Sequence, residues 1–171
     1  MCAKPLREMW GSPYSREEVM ESSKDFIEVK EVYIKTDRVQ GNMVVLKEYE
    51  DDPNYFMMFV GDAEITAIAK EKGLVEPKRP LTHDLYLEIS SRAGVVFDRI
   101  EIYQMQENTY YANIFVSING EEIVFDSRPS DAVALALHQK CAIFVSRKLL
   151  RRELSAEEIQ EYEMIVRTVK F

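Results

Sequence analysis

A transition from a strand to a helix is encoded by residues 125–138, FDSRPSDAVALALH. The first half of this stretch carries two carboxylates, two hydroxyls and an arginine. The second half is a run of small and branched apolar side chains that is typical of a buried helix. The apolar run of residues 122–125, EIVF, leads into it and predicts a strand. The polar turn is therefore expected to sit at a fixed place on a rigid frame.

The composition is that of a globular protein with a substantial core. The chain has 171 residues, of which 46% are hydrophobic and 11% are aromatic, so we expect one domain. Its formal net charge of −8 argues against a broad basic surface, on which nucleic-acid binding usually rests. The charge does not exclude a nuclease, because a metal ion can supply positive charge locally.

Targeting and cysteine signals are weak. Residues 1–8 lack the apolar run of a signal peptide, and the sequence has no apolar stretch of about 18 residues that would span a membrane. The cysteines, Cys2 and Cys141, indicate neither a disulfide framework nor a CxxC metal site. We therefore expect a soluble cytoplasmic protein.

Apolar periodicity and turn signals predict the order of the secondary-structure elements. Strands are predicted at residues 29–36, 43–46, 55–60, 95–106, 110–118, 121–125 and 142–145. Helices are predicted at about residues 15–24, 63–72 and 83–93, from the polar turn to about residue 140, and from Ser155 onward. Asp62 and Thr82 are expected to cap two of these helices, and Asn119-Gly120 predicts a hairpin turn.

This order indicates an α+β fold with a mixed, largely antiparallel sheet and helices packed on it. A strand-turn-helix pattern occurs twice, in residues 59–69 and 125–136, which suggests a duplicated strand-strand-strand-helix unit. We expect an N-terminal extension with a short helix (1–26), a central domain (27–148) and a C-terminal amphipathic helix (149–171).

The polar turn has two interpretations, and the sequence leaves both open. In the structural one, Ser127 or Ser130 caps the helix and Asp131 complements the helix dipole. In the functional one, Asp126 and Asp131 bind a divalent cation or form a charged pair with Arg128. Five polar side chains in one turn are more than a helix cap requires.

A second polar block, RPLTHD, occupies residues 79–84. His83 is suited to moving a proton near neutral pH, and Asp84 can orient it. The structural alternative places both residues in the exposed first turn of a helix, where a carboxylate is favoured by the dipole. His138, late in an apolar helix, is expected to have a structural role.

Glu64 lies one turn into its helix, much as Asp131 does in the helix after the polar turn. If the two helix starts converge, Glu64, Asp126 and Asp131 face one site. The sequence has no glycine-rich phosphate loop, no GxSxG elbow and no HExxH motif, which argues against an NTPase, a serine hydrolase or a zinc protease.

The blocks KRPLTHDL (78–85) and DSRPSDA (126–132) resemble the signature segments of the bifunctional nuclease family, and the resemblance covers about residues 28–147. It implies an α+β fold, often as a homodimer, and activity on both DNA and RNA. The motif positions of the family fall on Glu64, Arg79, Thr82, His83, Asp84, Asp126, Ser127, Arg128, Ser130 and Asp131.

One hypothesis is a metal-assisted nuclease that hydrolyses phosphodiester bonds. It assigns each motif position a role: His83, Asp84, Asp126 and Asp131 are catalytic, Asp126, Asp131 and Glu64 hold Mg²⁺ or Mn²⁺, and Arg79, Thr82, Ser127, Arg128 and Ser130 bind the substrate. The other hypothesis is a non-catalytic, dimeric binding or regulatory domain, whose polar turns fix the fold or line a small-ligand pocket. The negative net charge favours the second hypothesis.

Overall fold

The computed structural model describes residues 25–37 and 41–153, which alternate between strands and helices. The strands of this part are β1 (Phe26–Glu28), β2 (Glu31–Asp37), β3 (Gly41–Lys47), β4 (Asn54–Val60), β5 (Val95–Gln106), β6 (Thr109–Ile118), β7 (Glu121–Ser127), β8 (Ala142–Ser146) and β9 (Arg151–Arg152). Its α-helices are α1 (Asp62–Glu71), α2 (Thr82–Arg92) and α3 (Pro129–Gln139), and a 3-10 turn (Arg147–Leu149) joins β8 to β9. The predicted helices at residues 15–24 and from Ser155 onward lie outside the described residues.

The strands form two sheets. The five-stranded sheet has the order β1-β8-β5-β6-β7, and the four-stranded sheet has the order β2-β3-β4-β9. Neighbouring strands are antiparallel except for β5 and β8, which are parallel. Each sheet contains a three-strand meander followed by a helix, namely β2-β3-β4-α1 and β5-β6-β7-α3. The α+β class and the repeated order of elements are confirmed, with the strands divided between two sheets.

The core takes apolar side chains from both sheets and from α1 and α3. In α3 the run from Ala132 to Ala136 is buried, and in α1 the buried residues are Ile65, Ala67, Ile68 and Ala69. The two helices are in contact with each other. Helix α2 buries only Leu87 and Ser90, so apolar packing holds it less firmly than its two neighbours.

The hairpin turn between β6 and β7 is confirmed. Asn119 and Gly120 have φ values of 54° and 83°, the left-handed conformation that a type I′ turn requires at both central positions.

None of the described helices is long and apolar enough to cross a membrane.

The predicted helix caps are wrong by one or two residues. Helix α1 is capped at Gly61 and α2 at Leu81, so Asp62 and Thr82 are already inside their helices. The side chain of Asp62 instead accepts a hydrogen bond from Asn42, at 2.7 Å.

The cap of α3 also differs from the prediction. Its N-cap is Arg128, which is extended because it precedes Pro129, and this proline opens the helix. Ser127 therefore lies one residue too early to cap the helix and Ser130 two residues too late. Neither serine makes a side-chain capping bond at this terminus.

Phe56 of β4 is fully buried, and its ring meets that of Tyr110 of β6 edge to face, with centroids 4.9 Å apart. Because this contact joins the two sheets, Phe56→Ala is expected to lower the free energy of unfolding by about 3–5 kcal/mol. Phe59→Ala on the same strand is the matched control, since Phe59 is 64% exposed, and is expected to cost less than about 0.5 kcal/mol. Urea unfolding of both variants measures the difference, and equal losses would contradict this account of the core.

Candidate functional site

The starts of the three helices bring together four polar side chains, here called the His83 cluster: Glu64, His83, Arg128 and Asp131. The guanidinium of Arg128 donates to Asp131 through Nε at 2.6 Å and through Nη2 at 2.9 Å. Its Nη2 also lies 3.0 Å from Glu64 Oε1, and His83 Nε2 lies 3.1 Å from Asp131 Oδ1. Each of the two sequence blocks thus contributes to one contact group.

Charge and burial in the His83 cluster fix the state of Asp131. Burial disfavours the charged carboxylate, but hydrogen bonds from His83 and Arg128 outweigh it and hold the pKa of Asp131 below its usual range. The hydrogen bond to Asp131 in turn raises the pKa of Arg128. Because the carboxylate of Asp131 is an acceptor, the Nε2 that faces it must carry the proton, so neutral His83 has its lone pair on Nδ1.

Gly61 makes room for the carboxylate of Glu64. A Cβ atom added to Gly61 would lie 2.5 Å from Glu64 Oε2, which is closer than real Cβ atoms approach a neighbour. Any other residue at this position would push the carboxylate aside. Glycine therefore helps to keep Glu64 in place beside Arg128.

A second group of polar side chains, here called the Asp84 cluster, contains Lys70, Glu71, Asp84 and His138. The ammonium of Lys70 donates to Asp84 Oδ1 and Glu71 Oε1, both at 2.7 Å. His138 Nδ1 lies 3.1 Å from Glu71 Oε1, and Asp84 Oδ2 accepts the backbone N–H of Leu81 at 2.7 Å. These contacts tie the start of α2 to the ends of α1 and α3.

Burial disfavours the charged forms of both acids in the Asp84 cluster. For Asp84, hydrogen bonds from Lys70 and the Leu81 backbone outweigh burial and lower its pKa. For Glu71, hydrogen bonds from Lys70 and His138 do the same. The pKa of Lys70 is raised, chiefly by its hydrogen bond to Asp84.

The two clusters are two helical turns apart. Glu64 and Glu71 are separated by seven residues of α1, and Asp131 and His138 by seven residues of α3. At 1.5 Å per residue, this spacing places the clusters about 10 Å apart along the helices. His83 and Asp84 are consecutive, yet each belongs to a different cluster, because consecutive side chains on a helix point about 100° apart.

The predicted metal ligands do not form one group. In the described part of the chain, the three residues whose ligand atoms all lie within 4.8 Å of one another are Glu71, Asp84 and His138. Glu64 and Asp131 do meet, but through Arg128, and Asp126 is elsewhere. The Asp84 cluster was not predicted from the sequence, where the spacing of seven residues on both helices was the available signal.

Asp126 lies on β7, which extends to Ser127, and pairs in register with Asn113. Its neighbours on either side in β7, Phe125 and Ser127, pair with the core residues Ile114 and Ala112. Because side chains alternate along a strand, Asp126 faces the other side of the sheet from these residues.

The remaining predicted substrate ligands are dispersed. Thr82 is exposed, and Ser130 is 8% exposed at the start of α3. The hydroxyl of Ser127 donates to the carbonyl of Arg128 at 3.0 Å. Arg79 lies on the loop before α2 and lines a separate cavity beside that helix.

Asp84→Ala removes a carboxylate that accepts hydrogen bonds from the ammonium of Lys70 and from the backbone N–H of the N-cap residue Leu81. We expect a loss of about 1–3 kcal/mol in the free energy of unfolding at pH 7. Since the pKa of Asp84 is lowered in the folded protein, its stabilisation is present above the ordinary value of 3.8 and is lost as the pH falls below it. Urea unfolding at several pH values measures this, with Asp51→Ala in an exposed turn as the control. A difference between parent and variant that persists unchanged in acid would contradict it.

Comparison with known proteins identifies relatives of this chain. The model of the bifunctional nuclease domain family matches residues 44–158. Uncharacterized proteins of two strains of Mycobacterium tuberculosis are each 36% identical to the chain over 123 residues, which is 72% of this chain and 73% of theirs. A rice protein named bifunctional nuclease 1, from Oryza sativa subsp. japonica, is 30% identical over 74 residues, 42% of this chain but only 22% of its own length. The match to the family model spans more than half of the chain, so this protein belongs to the bifunctional nuclease domain family.

Proposed function

We propose that this protein hydrolyses phosphodiester bonds of DNA or RNA and that the His83 cluster carries the reaction. The observation that carries the proposal is the contact of His83 with Asp131 and of Asp131 with Arg128, because it joins two sequence blocks that lie far apart in the chain. An imidazole oriented by a carboxylate and a guanidinium are the groups that phosphoryl transfer uses. The family and the name of the rice relative support the choice of nucleic acid as the substrate.

His83 is the proposed general base. In the reaction a water oxygen forms a bond to phosphorus while the bond from phosphorus to the leaving oxygen breaks. Nδ1 of His83 takes the proton that the water loses, Asp131 stabilises the resulting imidazolium, and the leaving oxygen takes a proton from solvent. The imidazolium then returns its proton to solvent, which restores the starting state.

Arg128 is the proposed phosphate ligand. Its side chain is 66% exposed, and it lines an open cavity of about 410 Å³ together with Gly61, Glu64 and Tyr110. Its contacts with Asp131 and Glu64 use Nε and Nη2, so the described part of the chain leaves Nη1 for an oxygen of the substrate. The carboxylates hold the guanidinium in one orientation, so Nη1 can donate a charge-assisted hydrogen bond to a phosphate oxygen.

The involvement of Mg²⁺ or Mn²⁺ stays a prediction. The proposed ligand set of Glu64, Asp126 and Asp131 does not fit an ion as it stands, since Arg128 occupies the space between two of these carboxylates and Asp126 faces elsewhere. No step of the proposed reaction is therefore assigned to a metal ion.

His83→Ala and Asp131→Asn are expected to lower the rate of cleavage by about 100- to 10,000-fold, because one removes the base and the other releases its orientation. Asp126→Asn is the matched control and is expected to retain the parental rate, since Asp126 lies on the other face of the sheet. The measurement is the initial rate of cleavage of labelled single-stranded DNA and RNA by purified protein, after treatment with a chelator and again with added Mg²⁺ or Mn²⁺.

These variants separate the alternatives. If His83→Ala and Asp131→Asn fold and cleave as fast as the parent, the reaction does not take place in the His83 cluster. If Asp126→Asn alone abolishes cleavage, the site lies on the other face of the sheet. A parent protein that cleaves neither DNA nor RNA under any of these conditions leaves the binding function as the better candidate.

A non-catalytic function as a dimeric binding domain is the second candidate, and one surface favours it. Leu85, Tyr86 and Ile89 of α2 are 59%, 46% and 58% exposed. Residues four apart on a helix are neighbours, so these side chains form an apolar strip on the outer face of α2. Such strips are typical of interaction surfaces, and a second copy of this chain presenting the same strip would bury it with two-fold symmetry.

Leu85→Glu and Ile89→Glu are expected to convert a dimer into a monomer, because each places a charge in the proposed apolar interface. Sedimentation velocity should give about twice the chain mass of 19.9 kDa for the parent and 19.9 kDa for the variants. Tyr49→Glu is the control, since Tyr49 is 54% exposed but belongs to the turn between β3 and β4. A monomeric parent would rule out this interface.

A further inference from the structure

A large cavity lies beside α2, away from the atoms of the His83 cluster. It has a volume of about 990 Å³, at the upper end of the range for ligand pockets. Its walls are the loop before α2, the outer turns of α2, and the ends of α1 and α3, which contribute Lys70 and His138. The cavity therefore borders the Asp84 cluster.

Basic side chains outnumber acidic ones in the lining of this cavity, although the net charge of the protein is −8. The lining contains four basic residues and two acids, namely Lys70, Lys78, Arg79, Arg92, Asp84 and Glu88. Lys70 is bound to Asp84 and Glu71, and Arg92 to Glu88 through Nε at 3.0 Å and Nη2 at 2.6 Å.

Lys78 and Arg79 carry the positive charge that the cavity does not neutralise. Among the described residues neither of them makes an ion pair, and both are exposed. They lie between Pro77 and Pro80, whose rings restrict the backbone on either side. A short, stiff loop therefore presents two adjacent cations at the cavity wall, at a low cost in conformational entropy.

To attract a phosphodiester, the His83 cluster needs positive charge from residues that do not belong to it. Its two carboxylates and one guanidinium leave a net charge of −1 while His83 is neutral, which repels a phosphodiester. The cavity borders the Asp84 cluster, which lies about 10 Å from the His83 cluster along the helices. A strand whose scissile phosphate lies at the His83 cluster can therefore extend toward this cavity.

We propose that the cavity beside α2 binds the phosphate backbone of a nucleic-acid strand through Lys78 and Arg79, away from the reacting bond at the His83 cluster. The proposal rests on the proposed function for the identity of the strand. Lys78 thereby becomes a ligand of the phosphate backbone, a role that the sequence did not indicate. Arg79 binds the backbone too, but away from the bond that is hydrolysed. An anionic backbone is favoured over a small anion because the cavity is open and has a volume of about 990 Å³.

The test is the salt dependence of strand binding, measured by fluorescence anisotropy between about 50 and 200 mM salt. The probes are short fluorescein-labelled oligothymidylate and oligouridylate. The full chain carries His83→Ala, so that a bound strand is not cut, and His83→Gln serves if the alanine variant does not fold. Lys78→Ala with Arg79→Ala is compared with Arg147→Ala with Lys148→Ala, an exposed basic pair that does not line the cavity.

The Lys78→Ala/Arg79→Ala protein is expected to bind both probes more weakly, with a slope of log affinity against log salt that is smaller by about 1.4, the value for two lost contacts with a single strand. The Arg147→Ala/Lys148→Ala protein is expected to keep the parental slope. Equal changes in the two double variants would show diffuse attraction and overturn the proposal, and so would an absence of binding in the parent. If the protein with His83 intact binds the probes but does not cleave them, the proposed nuclease function fails. The salt slopes of the two double variants still decide whether Lys78 and Arg79 bind the strand.

Discussion

The packing of α1 against α3 is the constraint on which the rest of the structure depends. Both helices follow a three-strand meander and bring small side chains to the core, with Ala67 in α1 and Ala132 and Ala136 in α3 almost fully buried. Alanine lets two helices approach closely, so polar side chains at their edges also come within reach of one another. A spacing of seven residues on each helix then produces two polar clusters on one side of the pair.

Helix α2 depends on those polar clusters more than on apolar burial. Leu87 is its buried apolar residue, whereas its first turn makes hydrogen bonds or ion pairs with α1 and α3 through His83 and Asp84. In each cluster a cation lies between two acids, Arg128 in one and Lys70 in the other. Removing one member would leave a partly buried charge without compensation, which costs more than the intact network contributes.

Local patterns predicted the elements well, because they depend on side-chain periodicity and turn chemistry. Strand β5 has the predicted bounds, and the Asn119-Gly120 turn is confirmed. The family was also predicted from the residues of two short blocks, and the match to the family model confirms it. These successes concern features encoded within a few neighbouring residues.

The failures concern features that depend on residues far away or on small shifts in register. Predicting the end of β7 at Phe125 treated Asp126 as part of the turn, and two more residues of strand place its side chain on the opposite face. The edge strands of the two sheets are set by β1 pairing with β8 and by β4 pairing with β9, which no local pattern encodes. Likewise, the Asp84 cluster needs Glu71 to meet His138 and Lys70 to meet Asp84 across contacts between helices.

Those two distant strand pairs have a consequence for how the chain folds during synthesis. Phe26 pairs with Ser146, and Tyr55 pairs with Arg151, so each sheet lacks an edge strand until the ribosome has made nearly all of the described chain. Both meanders can form earlier from local hairpins, but closing such long loops costs entropy and slows folding. Until then, β4 and β5 have unpaired backbone edges that can pair with another chain. The completion of both sheets is thus a late step in folding, and a chain terminated before β8 would leave both edges open.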